Sequence, residues 1–446
     1  MPKKKTALTI EERLQQALVP AEEQPYEVPE NWVWVRLGAI AEIVTGGTPS
    51  KKQPEYYGGN FPFYKPSDLD QGRLTYDASE YLSEEGKKVS RIIPKNSTAV
   101  CCIGSIGKCG YLMCEGTTNQ QINSAIPKIN SLCLYYYLCT ENFVQNLLSM
   151  ASATTIAIVN KSKMESCAFP LPPLSEQQRI VERIEELFAK LDEAKERLQE
   201  VADSFAVRKA AILHKAFTGE LIGKKIEQLV PLESLVDLIK IGPFGSALHE
   251  SDYIENGIPL VNPKHIVQQH IVPQSKISIS EEKAEELSSY RLKANDIVLG
   301  RRGEMGRCAP VSAREENWIC GTGSMIIRLK EEYDARLYSL ILGSQATVTY
   351  LENSAVGSTL KNLNEKIVRK IPVPQFDIEE QHEIVRLIDD LLARERAAQQ
   401  VAEQALASID LMKKSILARA FRGELGTNKA SEASALELLR QVLAEN

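Results

Sequence analysis

"AFTGEL" (Ala216–Leu221) and "AFRGEL" (Ala420–Leu425) are nearly the same hexapeptide, and they stand far apart in the chain. Each copy follows an apolar run with helical spacing. A glycine just after such a run suits the left-handed residue that ends a helix, and the leucine after it can fold back onto that helix. We therefore expect each hexapeptide to mark the end of a long helix, so the chain contains this element twice.

The similarity extends upstream of both hexapeptides. Aligning the dipeptide Glu176-Gln177 with Glu380-Gln381 brings the hexapeptides into register without a gap. Further matching pairs are Phe169–Leu187 with Ile371–Leu391, Phe61–Leu69 with Ile258–Ile266, and "GSIGKC" (Gly104–Cys109) with "GEMGRC" (Gly303–Cys308). A unit of about 200 residues is far longer than a solenoid repeat. The pattern predicts a tandem duplication with two globular halves.

Apolar residues in the second part of each unit alternate in steps of three and four, which is typical of a coiled-coil seam. After Pro172-Pro173, Ser175 is expected to cap the first helix, with Gln178 completing a capping box. The two seams are predicted to be core and to bury each other as an antiparallel pair, because duplication then gives an internal pseudo-two-fold axis. The seam residues are Ile180, Ile184, Leu187, Leu191, Ala194, Leu198, Val201 and Phe205, then Ile384, Ile388, Leu391, Ala398, Ala402, Ala405, Ile409, Met412 and Ile416.

The first part of each unit is rich in Gly, Pro, Tyr and short β-branched runs, which indicate strands bounded by turns. One helix is expected to follow in each half, over Leu134–Ser149 and Ala335–Leu351. The fold class is therefore mixed α/β (α+β), with two tandem globular domains and two long helices. The predicted boundaries are an N-terminal arm 1–30, domains 31–173 and 223–374, helices 174–222 and 375–426, and a tail 427–446.

Composition excludes several classes of protein. Among the 446 residues, 43% are hydrophobic and 25% charged, and no apolar run is long enough to span a membrane. The nine cysteines, an odd number, suit free thiols, and the basic start has no apolar stretch of a secretory signal, so we expect the cytoplasm. The net charge of −6 argues against one large basic surface for nucleic acid. Any such contact must come from local patches or from partners.

Catalytic signatures are missing from the sequence. It contains no G-x-x-x-x-G-K-[ST], G-x-G-x-x-G, H-E-x-x-H or G-x-S-x-G pattern. The five histidines and nine cysteines lack the spacing of a zinc site. We expect no cofactor and no metal, and a chain that binds and positions other molecules.

Several phrases of the first half, together with the long helices of both halves, carry a family resemblance over nearly the whole chain. They are "YEVPENWVWVRLG" (Tyr26–Gly38), "TGGTPSK" (Thr45–Lys51), "IGSIGK" (Ile103–Lys108), "NQQIN" (Asn119–Asn123) and the helices that end in the two hexapeptides. Together they resemble the specificity subunit of type I restriction–modification systems. The resemblance implies a non-catalytic DNA reader whose two target-recognition domains each read half of a split, asymmetric target. It also implies that the helices fix the gap and dock two adenine-N6 methyltransferase subunits, with motor–nuclease subunits in the full complex.

Candidate DNA contacts lie in polar, glycine-containing loops. Arginine suits bidentate reading of guanine, and asparagine or glutamine suits adenine. The alternatives are plain glycine turns, a solvated hairpin, and amides that satisfy backbone groups. The candidates are Thr48, Ser50, Lys51, Lys52, Lys65, Ser105, Lys108, Asn119, Gln120 and Gln121 in the first half, and Ser246, Lys264, His265, Arg301, Arg302 and Arg307 in the second.

Two other functions remain open at this stage. One is a scaffold whose duplicated modules bind protein, and the other is a fused enzyme with its own restriction or methylation activity. The adenine-methyltransferase motif [DN]-P-P-[YF] is missing, and "NPKH" (Asn262–His265) is the nearest approach to it. That absence weighs against a methylating enzyme.

Overall fold

The computed structural model describes residues 9–152, 157–243, 247–354 and 362–445. The chain divides into two compact units. Unit 1 comprises Met1–Leu198 and Ala405–Asn446, and unit 2 comprises Gln199–Gln404. Each unit therefore contains one globular module and part of each of two long helices.

Unit 1 begins with helix α1 (Ile10–Ala17), strand β1 (Val33–Arg36) and the short helix α2 (Leu37–Ile40). The module then contains β2 (Ala41–Thr45), β3 (Tyr57–Tyr64), β4 (Glu80–Leu82), α3 (Glu84–Lys88), β5 (Thr98–Cys101), β6 (Cys109–Tyr111), β7 (Thr117–Thr118) and β8 (Ile122–Pro127). It closes with α4 (Ser131–Leu138), α5 (Glu141–Met150), α6 (Lys161–Glu165) and β9 (Ala168–Leu171). The first long helix, α7 (Leu174–Phe217), follows and continues into unit 2.

Unit 2 repeats this order. Its strands are β10 (Val230–Pro231), β11 (Val236–Ile241), β12 (Ile258–Val261), β13 (Ile266–Val267), β14 (His270–Ile271), β15 (Ser278–Ile279), β16 (Asp296–Gly300), β17 (Cys308–Pro310), β18 (Ile319–Cys320), β19 (Ser324–Leu329) and β20 (Pro372–Val373). Its helices are α8 (Glu281–Glu286), α9 (Ala335–Leu342), α10 (Gln345–Ser354), α11 (Glu365–Arg369) and the start of α12 (Ile378–Ala420). The rest of α12 and the final helix α13 (Ala435–Ala444) belong to unit 1.

The two modules share one sheet topology. Unit 1 has a four-stranded sheet in the order β2-β8-β5-β6 and a three-stranded sheet β4-β3-β7. Unit 2 has β11-β19-β16-β17 and β15-β12-β18, in which the strands correspond one for one. In both smaller sheets the pairing to the last strand is parallel. The predicted mixed fold and tandem repeat are confirmed, and the β13–β14 hairpin is an addition found in unit 2.

Apolar strands and helices enclose a separate core in each unit. In unit 1 the α4 residues Leu134 and Tyr137 pack against α7 residues Ile180 and Ile184 and against Phe421. In unit 2 the corresponding core joins α9, β16 and β19 to Ile384 and Ile388 of α12. The long helices are thus fixed to the modules by burial of their own apolar residues.

Within each unit the two long helices run antiparallel. In unit 1 the Lys413 Nζ lies 2.5 Å from Asp192 Oδ1, and the Lys195 Nζ lies 4.0 Å from Asp410 Oδ1. In unit 2 Arg208 Nε donates to Glu395 Oε2 at 2.9 Å, and Lys224 near the end of α7 pairs with Glu380 near the start of α12. The antiparallel prediction is confirmed.

A buried glutamine joins the start of each long helix to its module. Gln177 accepts a hydrogen bond from the backbone N–H of Asn130 at 3.0 Å and donates to the Pro172 carbonyl at 2.9 Å. Gln381 accepts from the N–H of Asp334 at 2.8 Å and donates to the carbonyls of Glu332 and Phe376. Asn130 and Asp334 cap α4 and α9, so each glutamine also positions the helix that packs on the sheet.

The hexapeptides end the helices as predicted. Gly219 and Gly423 have φ of 78° and 76°, in the left-handed region. Leu221 packs against the core of unit 2, and Leu425 packs against that of unit 1. Each hexapeptide is therefore a helix C-cap that is also attached to a domain core.

Three predictions about the helices are wrong. The helix expected over 134–149 is two helices, because the Thr140 hydroxyl caps a new start at α5, and Ser344 does the same between α9 and α10. Ser175 does not cap α7, which begins at Leu174. The N–H groups of Glu176 and Gln177 both bond to the Pro173 carbonyl.

The prediction that the whole seam is core is also wrong. Ile180, Ile184, Ile384 and Ile388 are buried, but Val201 is 44% and Met412 50% exposed, while Ala194 and Ala398 are exposed as well. A pair of helices covers only one face of each partner, and alanines extend too little to reach across that pair.

Candidate nucleic-acid interface

In unit 1 the sheet topology brings the polar loops to one end of the module. Thr45, the last residue of β2, pairs with Asn123, and Cys101, the last of β5, pairs with Ile122. The segments 46–53, 102–108 and 119–121 therefore leave the same end of the sheet. Because β3 and β7 are parallel and end side by side, Lys65 lies at this end too. We call these segments, together with Lys65, the loop end of unit 1.

The segments of this loop end contact one another directly. The Thr48 hydroxyl donates to the side-chain oxygen of Gln120. The N–H of Gly47 donates to the Thr118 carbonyl at 2.8 Å. A Cβ atom on Gly46 would overlap the Asn119 carbonyl oxygen, so this close approach requires glycine. Two of the predicted contact segments thus form one continuous surface.

Ser50, Lys51 and Lys52 are exposed on this surface. Their loop is held from beneath, because the Tyr57 hydroxyl donates to the Pro49 carbonyl at 2.7 Å. An anchored loop with two exposed ammonium groups is suited to contact phosphate groups without large reordering.

The remaining lysines of this loop end have acidic neighbours. The Lys65 Nζ lies 2.9 Å from Glu80, and the Lys108 Nζ lies 2.7 Å from Asp70, whose carboxylate is largely exposed. Ser105 is exposed at the tip of the β5–β6 loop, between the left-handed residues Gly104 and Gly107. An approaching phosphate would have to compete with these carboxylates.

The amides of Asn119 and Gln121 are directed at each other. Asn119 is 8% exposed, and its oxygen accepts from the N–H of Gln121 at 3.1 Å. Its nitrogen donates to the Gln121 side-chain oxygen at 3.0 Å. These two amides shape the loop, whereas Gln120 between them is exposed.

Unit 2 forms an equivalent loop end. Gly300, the last residue of β16, pairs with Ser324, and β12 and β18 end side by side in parallel. The described segments that leave this end are 242–243, 247–249, 262–265, 301–307 and 321–323, which we call the loop end of unit 2. Of its predicted contact residues, Ser246 lies outside the described residues.

The three arginines of the 301–307 loop differ in their surroundings. Arg301 is half-buried, and its Nε donates to the Leu363 carbonyl at 3.0 Å. Burial, and then the neighbouring Arg302, lowers the pKa of the Arg301 guanidinium. Arg307 forms an ion pair with Glu304. Arg302 is exposed, and its side chain has no hydrogen bond or ion pair with the residues that the structure describes. It is the most accessible of the three.

Lys264 is exposed next to this loop, but His265 occupies a different environment. The His265 side chain is 1% exposed, and its Nδ1 lies 2.8 Å from the Leu260 carbonyl oxygen. Burial lowers the pKa of this imidazole, which favours the neutral form. The structure gives His265 the role of fixing the turn after β12, because its ring faces the protein interior.

Sequence reasoning missed two cations at the loop ends. Arg91 is exposed, and its Nη1 donates to the Thr45 carbonyl at 2.5 Å, at the base of the 46–53 loop. In unit 2 the Lys240 ammonium lies 4.4 Å from the centroid of the Tyr290 ring, next to the corresponding end of β11. Neither residue is in a motif. Arg91 comes to its loop end, and Tyr290 to Lys240, because the segments between α3 and β5 and between α8 and β16 fold across the sheet. No local sequence pattern predicts that folding.

The described residues offer neither a metal site nor a membrane span. They contain no group of three or more His, Cys, Asp or Glu side chains arranged to hold a metal ion. None of their helices has the length and apolar character needed to cross a membrane.

Comparison with known proteins agrees with this geometry. The family model of the type I restriction modification DNA specificity domain matches residues 29–203 and 233–404. The EcoBI specificity subunit of a type I restriction enzyme from Escherichia coli is 28% identical over 461 residues, covering 94% of this chain and 93% of that protein. The HsdS subunit from Thermoanaerobacter tengcongensis has a similar fold, with a TM-score of 0.61 at 19% identity over 90% of this chain and 99% of its own. A chain from a type I R-M system has a TM-score of 0.63 at 19% identity, covering 90% of this chain and 100% of its own.

Proposed function

This chain belongs to the family of type I restriction–modification DNA specificity proteins, and we propose from that membership that its two loop ends each read one half of a split DNA target. It is the non-catalytic recognition subunit of a methyltransferase–endonuclease complex. Its partners are double-stranded DNA, two adenine-N6 methyltransferase subunits and, in the full complex, motor–nuclease subunits. We place this complex in the cytoplasm.

The observation that supports this function is that the two modules have the same strand order but different polar side chains in their loops. The two sheets correspond strand for strand. The loops at their ends differ, with Thr48, Gln120 and two lysines in unit 1 and Arg302 and Lys264 in unit 2. Side chains read base identity at the base edges in the grooves. An asymmetric, two-part target therefore requires two modules of the same fold that carry different polar side chains.

We assign residues 31–173 and 223–374 as the two target-recognition domains. The spacer segments 174–222 and 375–426, which contain α7 and α12, set the unread gap and dock the methyltransferase subunits. Residues 1–30 form an N-terminal arm and 427–446 a tail. The exposed apolar side chains Val207, Val401 and Leu411 on these helices support a docking role. The net charge of −6 supports it as well, since partners would then supply much of the phosphate-neutralising charge.

Methylome sequencing tests the proposal. Cells that express the whole system should carry N6-methyladenine in one split motif, and deletion of this chain should remove that motif alone. Restoring the chain should restore the motif. If the methylation pattern is the same with and without this chain, the DNA-reading function is refuted, and a protein-binding scaffold becomes the better account.

A further inference from the structure

The hairpin β13–β14 of unit 2 has no counterpart among the described strands of unit 1. Its two short strands pair Ile266 with Ile271 and Val267 with His270, so Gln268 and Gln269 form a two-residue turn. The hairpin follows the loop-end segment 262–265 directly. Its apolar base is fixed, because Ile266 and Ile271 are buried in a core with Val298 and Ala309. The tip is accessible, with Gln268 exposed and Gln269 half-buried.

The turn residues are held in an unfavourable backbone conformation. Gln268 and Gln269 have φ of 48° and 63°. The other non-glycine residues with positive φ in the described part of the chain are all asparagines, at 96, 256, 295 and 317. Asparagine tolerates this region, whereas a longer side chain is disfavoured there. Two-residue hairpins of this kind normally contain Asn-Gly or Gly-Gly. Local stability alone would therefore favour other residues at both positions.

The surroundings of the turn are polar and open. A cavity of about 640 Å³ separates the hairpin from the 303–307 loop, and it is lined by both glutamines, Arg307 and Gln345. On its other side the hairpin borders a second cleft of about 600 Å³, which Gln268 and His270 line together with Lys209, Glu395 and Arg396 of the long helices. The tip thus lies between the 303–307 loop and the long helices of the same unit, in clefts lined by both basic and acidic side chains.

A two-stranded β-ribbon fits the major groove of DNA, and glutamine can form paired hydrogen bonds with the N6 and N7 atoms of adenine. We propose that the hairpin Ile266–Ile271 is a base-reading element of unit 2, in which Gln268 recognises adenine and Gln269 shapes the tip. This inference rests on the proposed function. The strained turn places the exposed Gln268 amide at the end of a ribbon whose base is buried, while the Gln269 amide nitrogen lies close to Gly343.

The test replaces Gln268→Gly together with Gln269→Gly in the complete complex. Glycine relieves the left-handed strain and keeps the turn, so the melting temperature should stay the same or rise. One adenine in one half of the target should lose discrimination by about tenfold to a hundredfold, measured as methylation rates on matched and singly altered duplexes. The sequence recognised in the other half of the DNA target should stay the same. Asn256→Gly is the matched control, because Asn256 has a φ of 60° but precedes β12 at the opposite end of the sheet, and this variant should change neither half.

The outcomes separate the inference from the function on which it rests. A double-glycine variant that methylates the wild-type target with unchanged discrimination overturns the inference while the DNA-reading function stands. A variant that melts lower and methylates nothing also overturns it, because the glutamines would then be structural. If the wild-type complex has no split target, the proposed function itself fails.

Discussion

Three cations at the two loop ends have an acidic neighbour, whereas Lys51, Lys52, Lys264 and Arg302 are exposed without an ion pair among the described residues. Lys65, Lys108 and Arg307 are paired with Glu80, Asp70 and Glu304. Surface ion pairs of this kind contribute about 0–1 kcal/mol, so DNA can displace them at little cost. The pairing offsets part of the positive charge of the loop ends before binding. Non-specific attraction to DNA is then weaker than the number of cations alone would give, so specific contacts have more influence on where the protein binds.

Arg91 should be a phosphate contact that positions unit 1 without reading sequence. A hydrogen bond from its guanidinium to the Thr45 carbonyl holds the side chain at the base of the 46–53 loop. In Arg91→Ala, the slope of log affinity against log salt should fall by about 0.9, the value for one phosphate, while the methylated motif stays the same. Fluorescence anisotropy of the assembled complex over a salt series measures the slope.

Lys95→Ala is the control for this experiment, since Lys95 is exposed in the same unit but just before β5, at the opposite end of the sheet. It should leave the slope unchanged. Equal slopes for the wild type and Arg91→Ala would exclude the phosphate contact.

Sequence patterns identified the loops that carry candidate residues, but not the direction of each side chain. Asn119 and His265 have chemistry suited to DNA, yet both are buried and bonded within the protein. Whether an amide or imidazole faces solvent depends on strand pairing and on a turn of one or two residues. Those features arise from contacts distant in sequence, so local pattern cannot supply them. Arg91 was missed for the same reason.

At the level of elements, the two hexapeptides were predictable because a helix end has a local cause. Glycine in the left-handed region, a preceding apolar face and a following leucine lie within one short stretch. The break between α4 and α5 also has a local cause, the Thr140 cap. However, apolar residues continue through it with helical spacing, and this continuity favoured a single helix. Periodicity therefore located the helical regions better than it located their interruptions.

The glycine of the second hexapeptide should be needed for close packing as well as for its backbone conformation. A Cβ atom on Gly423 would overlap Pro29 Cγ, whereas one on Gly426 would meet nothing within 4 Å, although their φ values are 76° and 73°. Gly426→Ala should therefore lower the free energy of unfolding only by the strain of a left-handed alanine, about 1–2 kcal/mol. Gly423→Ala should cost more than that, because Pro29 or the helix end must also move.

Chemical denaturation of the two variants, followed by circular dichroism, measures this difference. The pair Gly219→Ala and Gly223→Ala offers the same comparison in unit 2. A Cβ atom added to Gly219 would lie 2.5 Å from the Lys224 carbonyl oxygen, whereas one added to Gly223 would have open space. An equal decrease in the free energy of unfolding for both variants of a pair would show that packing around the hexapeptide glycine does not contribute to stability.

At the scale of the whole molecule, the duplication makes each long helix belong to both units. Residues 174–198 of α7 and 405–420 of α12 lie in unit 1, and the remainder of each helix lies in unit 2. This arrangement could be predicted from the sequence because the two copies of the repeat align without a gap from the glutamate–glutamine dipeptides to the hexapeptides. The sequence could not indicate that the seam is incompletely buried, since burial depends on how many neighbours surround each helix.

If the two helices set the unread gap of the target, lengthening both should lengthen that gap. Four residues inserted after Leu198 and four after Gln404 add about 6 Å to each helix and keep the antiparallel pairs on either side matched. At about 3.4 Å per base pair, the gap should grow by one to two base pairs, with both half-sites unchanged. Methylome sequencing reads the new spacing directly. Inserting four residues after Gly426, beyond the end of α12, is the control and should leave the gap as it was. A lengthened pair that still methylates only the original spacing would refute the role of the helices as a ruler, because two recognition surfaces on a longer support could not meet the same two DNA segments without bending one of them.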